Sequence, residues 1–212
     1  MKDLTGIARG FVVALLIMGG LGPCFSGVAC AQASAVHPQP AETPILHLGE
    51  SASRDTRVFR GGRPVELRPG MPLQNGDEVQ TGGEVDAVVI DFPARGRVAL
   101  AARTRVRIGS LEVLFGRVFA NVRGLFSVSS ANVVAGVEGT SFMVDVGLQG
   151  QMRVIVLEGV VVCRSRSDTW APVRVRAGEL FSGPVSKFGV PGVGRANPSE
   201  IRDARALGRL VL

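Results

Sequence analysis

From Leu46 onward, apolar and polar residues alternate with a period of two, the pattern of strands that bury one face. The pattern is fullest along Gly116–Cys163, where Val118, Ala120 and Val122 fall on one face and Phe119, Asn121 and Arg123 on the other. The same period returns at Phe142, Val144 and Val146, and again at Val154 and Val156. Upstream, Arg57–Arg60 and Arg63–Leu67 flank Gly61-Gly62 and predict a hairpin. Pro69-Gly70 and Asn75-Gly76 predict tight turns before Val79. Glu84–Phe92 is apolar on both faces and predicts a central strand. Arg97–Ile108 predicts a strand pair with Val98, Leu100, Thr104, Val106 and Ile108 inward and Arg103, Arg105 and Arg107 projecting from the opposite face, as a solvated row or one paired with Asp and Glu of the neighbouring strand. Val173 and Val175 then alternate with Arg174 and Arg176, and Ser165–Asp168 before them reads as a polar turn.

Gly183–Ala196 is rich in Gly and Pro and reads as a linker. After it, Asn197-Pro198-Ser199-Glu200 places a capping Asn, a Pro and a Glu where a helix start wants them. Ile201, Ala204, Leu207 and Leu210 give that helix one apolar edge, fit for a strap over the sheet or for docking a partner. The class expected is all-β: short antiparallel strands in a β-roll, a sandwich or a short solenoid-like domain, with an N-terminal signal helix and a short C-terminal helix.

The N-terminus has a different grammar. Lys2 and Arg9 precede an apolar run, Phe11–Leu21, and Ala29-Cys30-Ala31 follows as a small-residue cleavage site. These are the three parts of a secretory signal peptide, 1–31, and the run is short for a membrane span. Cleavage after Ala31 is expected; a lipid-modified Cys30 is disfavoured by Gly27, and an uncleaved anchor is the third option. Residues 32–45 read as a disordered lead-in, 46–182 as the β domain, 183–196 as the linker and 197–212 as the helix. The body of the chain is thereby placed in the periplasm or cell envelope.

Composition narrows the chemistry. Removing residues 1–31 lowers the formal charge from +6 to +5, and the basic excess is arginine, since the only lysines are Lys2 and Lys187. The arginines are scattered and the Phe residues that can be placed fall in apolar strand registers, so nucleic-acid binding is not expected. Cys163 is left without a disulfide partner once Cys24 and Cys30 are removed, and reads as a small buried residue. His37 and His47 lie at the start of the body, which leaves no histidine for a triad within it. No nucleophile elbow, phosphate loop or paired-cysteine motif occurs, and the spacing of Asp77, Glu78, Asp86, Asp91, Asp145 and Glu158 singles out no catalytic pair. No enzyme activity, metal or cofactor is expected.

Three stretches resemble one family. Leu73 followed by Gly76-Asp77-Glu78-Val79-Gln80-Thr81-Gly82, then Gly139-Thr140-Ser141-Phe142, then Val156-Leu157-Glu158-Gly159-Val160, resemble the FecR domain, the periplasmic part of iron-siderophore signalling regulators. Ala177-Gly178-Glu179 is similar to the turn on which its last core strand closes. The likeness runs from about Leu67 to Phe181. Asp91–Gly96 is a longer loop than the family's Asp-Gly-Ser turn, and Glu138 stands where the family carries Arg. Gly76, Asp77, Thr81, Gly82, Gly139, Thr140, Phe142, Glu158, Gly159 and Gly178 are the matched motif residues, with structural roles.

The resemblance implies an all-β envelope module. Full regulators add a cytoplasmic sigma-factor-binding domain and a membrane helix, for which Met1–Gly10 is too short, and a further C-terminal domain that meets a transporter's signalling domain. The expectation is therefore a stand-alone exported module, a periplasmic protein-binding or signal-sensing unit in envelope or iron-related regulation, with an envelope or membrane protein as partner. The alternatives are a binder of cell-wall polymer or anionic ligand at Arg103, Arg105 and Arg107, and a structural envelope domain without a ligand.

Overall fold

The computed structural model describes residues 43–212 except 85, 187 and 188, all within the unit Gln39–Leu212. The expected signal peptide, Cys24, Cys30, His37 and most of the lead-in lie outside the described residues. The chain opens with β1 (Ile45–Leu48), a one-turn helix α1 (Ala52–Asp55), the hairpin β2 (Thr56–Arg60) and β3 (Arg63–Val65), and short β4 (Met71–Pro72). There follow β5 (Glu78–Thr81), β6 (Val88–Phe92), β7 (Gly96–Leu100) and β8 (Arg105–Arg107). Two long strands come next, β9 (Glu112–Ser129) and β10 (Val133–Val146). The remainder is β11 (Met152–Glu158), β12 (Val160–Ser165), β13 (Val173–Arg176), β14 (Glu179–Ser182), β15 (Gly192–Arg195) and α2 (Pro198–Gly208).

All strand pairs are antiparallel, in one open sheet whose main path runs β15-β14-β11-β10-β9-β7-β6-β1-β4. The β9–β10 hairpin is its spine. One half of β9 pairs with β8 and the other with β7, while β10 pairs with β12 along Val133–Val137 and with β11 along Ser141–Val146. Alternation converts this pairing into rows. Val88, Leu100, Val118, Val144, Val154 and Phe181 are successive cross-strand partners, each almost wholly buried in the main core. Burying such side chains contributes about 1.5–3 kcal/mol each.

The opposite face carries a second row: Val89, Ala99, Phe119, Met143, Ile155 and Leu180. Helix α2 covers it with Ala204, and Val211 in the turn past the helix joins it. Asn197 caps this helix by accepting from the Glu200 N–H at 2.9 Å, and Glu200 accepts from the Asn197 N–H at 2.8 Å while also pairing with Arg153 on β11. The apolar edge differs from the one its spacing predicts. Leu210 is exposed, and Gly208 and Val211 face the sheet instead. A Cβ on Gly208 would stand 2.9 Å from the Phe119 ring, so the helix closes on Phe119 through a residue without a side chain, and the turn beyond it swings Val211 inward.

Two further expectations shift. The strand predicted from Glu84 begins only at Val88, because the Asp86 carboxylate accepts from the N–H groups of Ala52 at 2.9 Å and Ala87 at 2.8 Å and so belongs to the α1 turn. The predicted linker contains β15, whose Gly192–Arg195 pairs with β14 as an edge strand. Alternating glycines there leave the backbone free to pair without side-chain crowding.

The spine bends at one place. In β10 the inward residues are Val133, Ala135 and Val137, then Thr140, Phe142, Val144 and Val146, so the inward parity switches at Gly139. There Gly139 has φ +62° and the register against β9 steps by one residue, with Arg123 and Gly124 opposite it. The same switch occurs between β11 (Met152, Val154, Val156 inward) and β12 (Val161, Cys163, Ser165 inward), at Gly159 with φ +85°. A Cβ on Gly159 would lie 2.9 Å from the Gly139 carbonyl oxygen and from Thr140 Oγ1, while the space at Gly139 is open. Each bulge thus bends one strand while keeping both faces continuous.

The two glycines should differ in tolerance. Gly139→Ala is expected to cost about 1–2 kcal/mol, the price of a left-handed non-glycine residue. Gly159→Ala adds a backbone clash and is expected to cost about 3 kcal/mol or more. Urea unfolding of the two variants checks this; equal costs would contradict the corner geometry.

Candidate binding surface

Asp77 begins the clasp that holds the N-terminal strands together. Its buried carboxylate accepts from Arg60 Nε at 2.9 Å and Nη2 at 2.8 Å, and from the Gln74 N–H at 2.8 Å. Burial pushes this carboxyl up, but the Arg60 guanidinium and the Gln74 N–H more than offset it and hold it below the ordinary carboxylate value. The backbone on either side grips β8: the Gly76 N–H donates to the Ile108 carbonyl at 2.9 Å, and the Ile108 N–H to the Asp77 carbonyl at 2.8 Å. At the far end of β5, Thr81 Oγ1 accepts from the Thr104 N–H at 2.9 Å and donates to the Ala101 carbonyl at 2.7 Å. The Gly82 carbonyl accepts from the Arg103 N–H at 2.7 Å. Gly76, Asp77, Thr81 and Gly82 therefore hold both ends of β8.

The other matched motif residues lie apart from this clasp. Gly139, Thr140 and Gly159 make the corner, Phe142 is wholly buried beneath it, and Glu158 is exposed at the end of β11. Thr140 Oγ1 reaches the Val160 carbonyl at 3.3 Å and the Glu138 carbonyl at 3.4 Å. Gly178, between β13 and β14, donates its N–H to the Val156 carbonyl at 2.9 Å and accepts from the Ala196 N–H at 3.0 Å. Clasp, corner and closing turn are three separate places, each occupied by backbone-directed contacts.

Arg105 and Arg107 share β8 and share a partner. Arg105 donates to Glu78 Oε2 from Nε at 2.9 Å and Nη2 at 2.6 Å, and Arg107 donates to Oε1 from Nε at 3.0 Å and Nη2 at 2.7 Å. Arg107 Nη1 also donates to Glu112 at 2.8 Å, and Arg105 lies 5.3 Å from the centre of the Phe59 ring. The Arg107 hydrogen bond, with Arg105, holds Glu78 below its ordinary value. Arg103 sits on the turn before β8 with φ +53° and makes no ion pair among the described residues. Two of the three arginines are thus already paired with carboxylates, Glu78 on β5 and Glu112 on β9, and no observation on this face favours an anionic ligand.

Cys163 is buried in β12, and burial pushes its thiol up to about 12, which leaves no thiolate for chemistry near neutral pH. Among the described residues no three of His, Cys, Asp and Glu gather as a metal site, and no helix is long and apolar enough to cross a membrane.

One sheet face stays open. Beyond the corner, the outward side of β9, β10, β12 and β13 carries Leu125, Val134, Val160 and Val162, and no described element covers it. Leu125 is 78% exposed and Val160 42%. Gly136 lies between them, so the floor dips into a hollow of about 590 Å³ with Arg164 and Arg174 at its far side and Glu138 at its near side. Alternation alone passed over these residues, yet runs of adjacent valines at 133–134 and 160–162 carried a signal. In a strand, only one of two neighbours can face the core.

The clasp has a pH signature. Because the folded Asp77 carboxyl is held below its unfolded value of about 4, its contribution is complete above that pH and is lost as pH falls toward the folded value. Asp77→Asn is expected to lower stability at pH 7 by about 1–3 kcal/mol and to flatten the loss between pH 5 and pH 3. Denaturation of both proteins across that range measures it; parallel curves would remove Asp77 from the account.

Two crystal structures of a protein from Parabacteroides distasonis ATCC 8503, described as a "putative anti-sigma factor", are similar to this chain at 20% identity with TM-scores of 0.49. Each match covers 59% of this chain and 62% of that one, so the chain spans under two thirds of those proteins. No curated protein matches. The family model described as FecR protein matches residues 77–162, from the clasp carboxylate through the spine and the corner to β12. The chain carries a FecR domain over residues 77–162.

Proposed function

We propose that this chain is a regulatory binding module of the cell envelope, whose FecR domain receives another protein and relays its state. The match over residues 77–162 carries the reading, since FecR domains resemble parts of signalling regulators rather than of enzymes. The sequence pattern of residues 1–31 supports export to the periplasm with cleavage after Ala31, followed by a lead-in to residue 45 and the β domain 46–182. The resemblance to siderophore-signalling regulators supports iron-responsive control as the setting of this reading. The partner in this reading is an envelope or membrane protein. The motif residues act as the scaffold: Asp77 and Thr81 brace β8, while Gly139, Thr140 and Gly159 set the corner beside the open face.

An affinity-tagged chain, expressed whole and recovered from solubilised envelope, tests this reading. Retention of a transporter or a membrane-bound regulator is the expected result. Retention of wall fragments without any protein would overturn it.

A further inference from the structure

We propose that the open face of β9, β10, β12 and β13 takes an extended segment of a partner protein whose side chains alternate aliphatic and carboxylate. This rests on the protein-binding reading above and adds the place and the chemistry. Three observations point to it. The chain covers the outward face on one side of the corner with its own helix α2 and the turn after it, which seat Ala204 and Val211 on Phe119, Met143 and Ile155. On the other side the same face continues through the Gly139 and Gly159 bulges without a helix over it, with Leu125 and Val160 exposed and Val134 and Val162 half-buried as its aliphatic positions. A face of this kind gains by burial when a partner supplies matching apolar groups.

The charges around it select the partner. On β8 the arginines meet Glu78 and Glu112, but Arg164, Arg174 and Arg176 are exposed and make no ion pair among the described residues. Arg164 and Arg174 stand on the same outward side as Val162, because Val162 pairs with Gly136 and with Arg174, and Arg164 pairs with Val134. A carboxylate arriving there meets two guanidinium groups suited to hold it, at the edge of a low-polarity floor. A second copy of this chain, at +6, is a poor occupant, and residues 1–42 bring just two carboxylates, Asp3 and Glu42. From β9 to β13 the face spans about 14 Å, the length of four or five extended residues.

Defined peptides test the proposal on the full chain. One octapeptide alternates leucine with aspartate, a second leucine with lysine, and a third serine with aspartate. The leucine–aspartate peptide is expected to shift the amide resonances of Val134, Val160, Val162 and Arg174, and the other two are expected not to saturate. Paired Arg164→Glu and Arg174→Glu substitutions, on exposed positions, should weaken that binding at least tenfold, while Arg54→Glu on α1 leaves it unchanged. No binding of the leucine–aspartate peptide, shifts confined to other strands, or full affinity in the double variant would overturn the proposal. Equal binding of the serine–aspartate peptide would overturn it in favour of a plain anion site. The same double variant separates this proposal from the reading beneath it. If an envelope protein retained by the wild type is equally retained by the variant, the face is wrong and the module still binds protein. If the wild type retains no protein, the broader reading fails first.

Discussion

A single hydroxyl ties two bent strands to each other. Thr140 Oγ1 reaches the carbonyls of Val160 and Glu138, at the point where Gly139 and Gly159 switch the inward parity of β10 and of the β11–β12 pair. The strands on either side stay in step with β10: on β9 both Arg123 and Gly124 lie opposite Gly139, so Val122 and Val128 keep one parity, while the β11–β12 pair switches together with β10. Those two switches fall at adjacent positions, and the core continues from Phe142, Val144 and Val156 into Val137, Ala135, Val161 and Cys163 without a break. The would-be Cβ of Gly159 against the Gly139 carbonyl shows how close the two backbones come. The Gly-Thr-x-Phe and Glu-Gly elements are far apart in the chain and adjacent in space because they are two halves of this one corner.

The corner divides the outward face into two fates. One side is sealed by α2, whose capping Asn197 and whose Glu200–Arg153 pair fix it over Phe119. The other remains accessible and couples an aliphatic floor to uncommitted arginines. The clasp at the opposite end of the spine works differently: Asp77, Arg60 and the Thr81–Thr104 contacts are satisfied internally and leave no vacancy. Binding capacity therefore sits where the strands leave charge and apolar surface unmatched, and the matched motifs provide the rigidity beneath it.

The strand content was legible because the alternation is strong, and the Gly61-Gly62 hairpin and the helix start at Asn197 were legible from local chemistry alone. The motif residues were visible as a family pattern, but their grouping into clasp, corner and closing turn depended on long-range pairing, such as Val156 with Gly178. Asp86 was misread as a strand residue because its role, accepting from Ala52, lies 34 positions away. The strand at Gly192–Arg195 was hidden by glycines that resemble a linker's, and Leu210 lost its place to Val211 because the helix stops at Gly208. The arginine row on β8 was legible as a solvated or carboxylate-paired face, but which carboxylate it meets, Glu78 on β5, depended on long-range pairing. The true open face was concealed in runs of consecutive valines, where period-two reading chooses one residue and discards the next.

A photoreactive amino acid placed at Val160, and separately at Arg205 on the solvent side of α2, tests the division of the face most directly. With irradiation of intact cells, the account predicts a protein adduct from position 160 and none from position 205. An adduct from position 205 alone would contradict it, and would make the helix, rather than the bare strands past the corner, the surface that meets the partner.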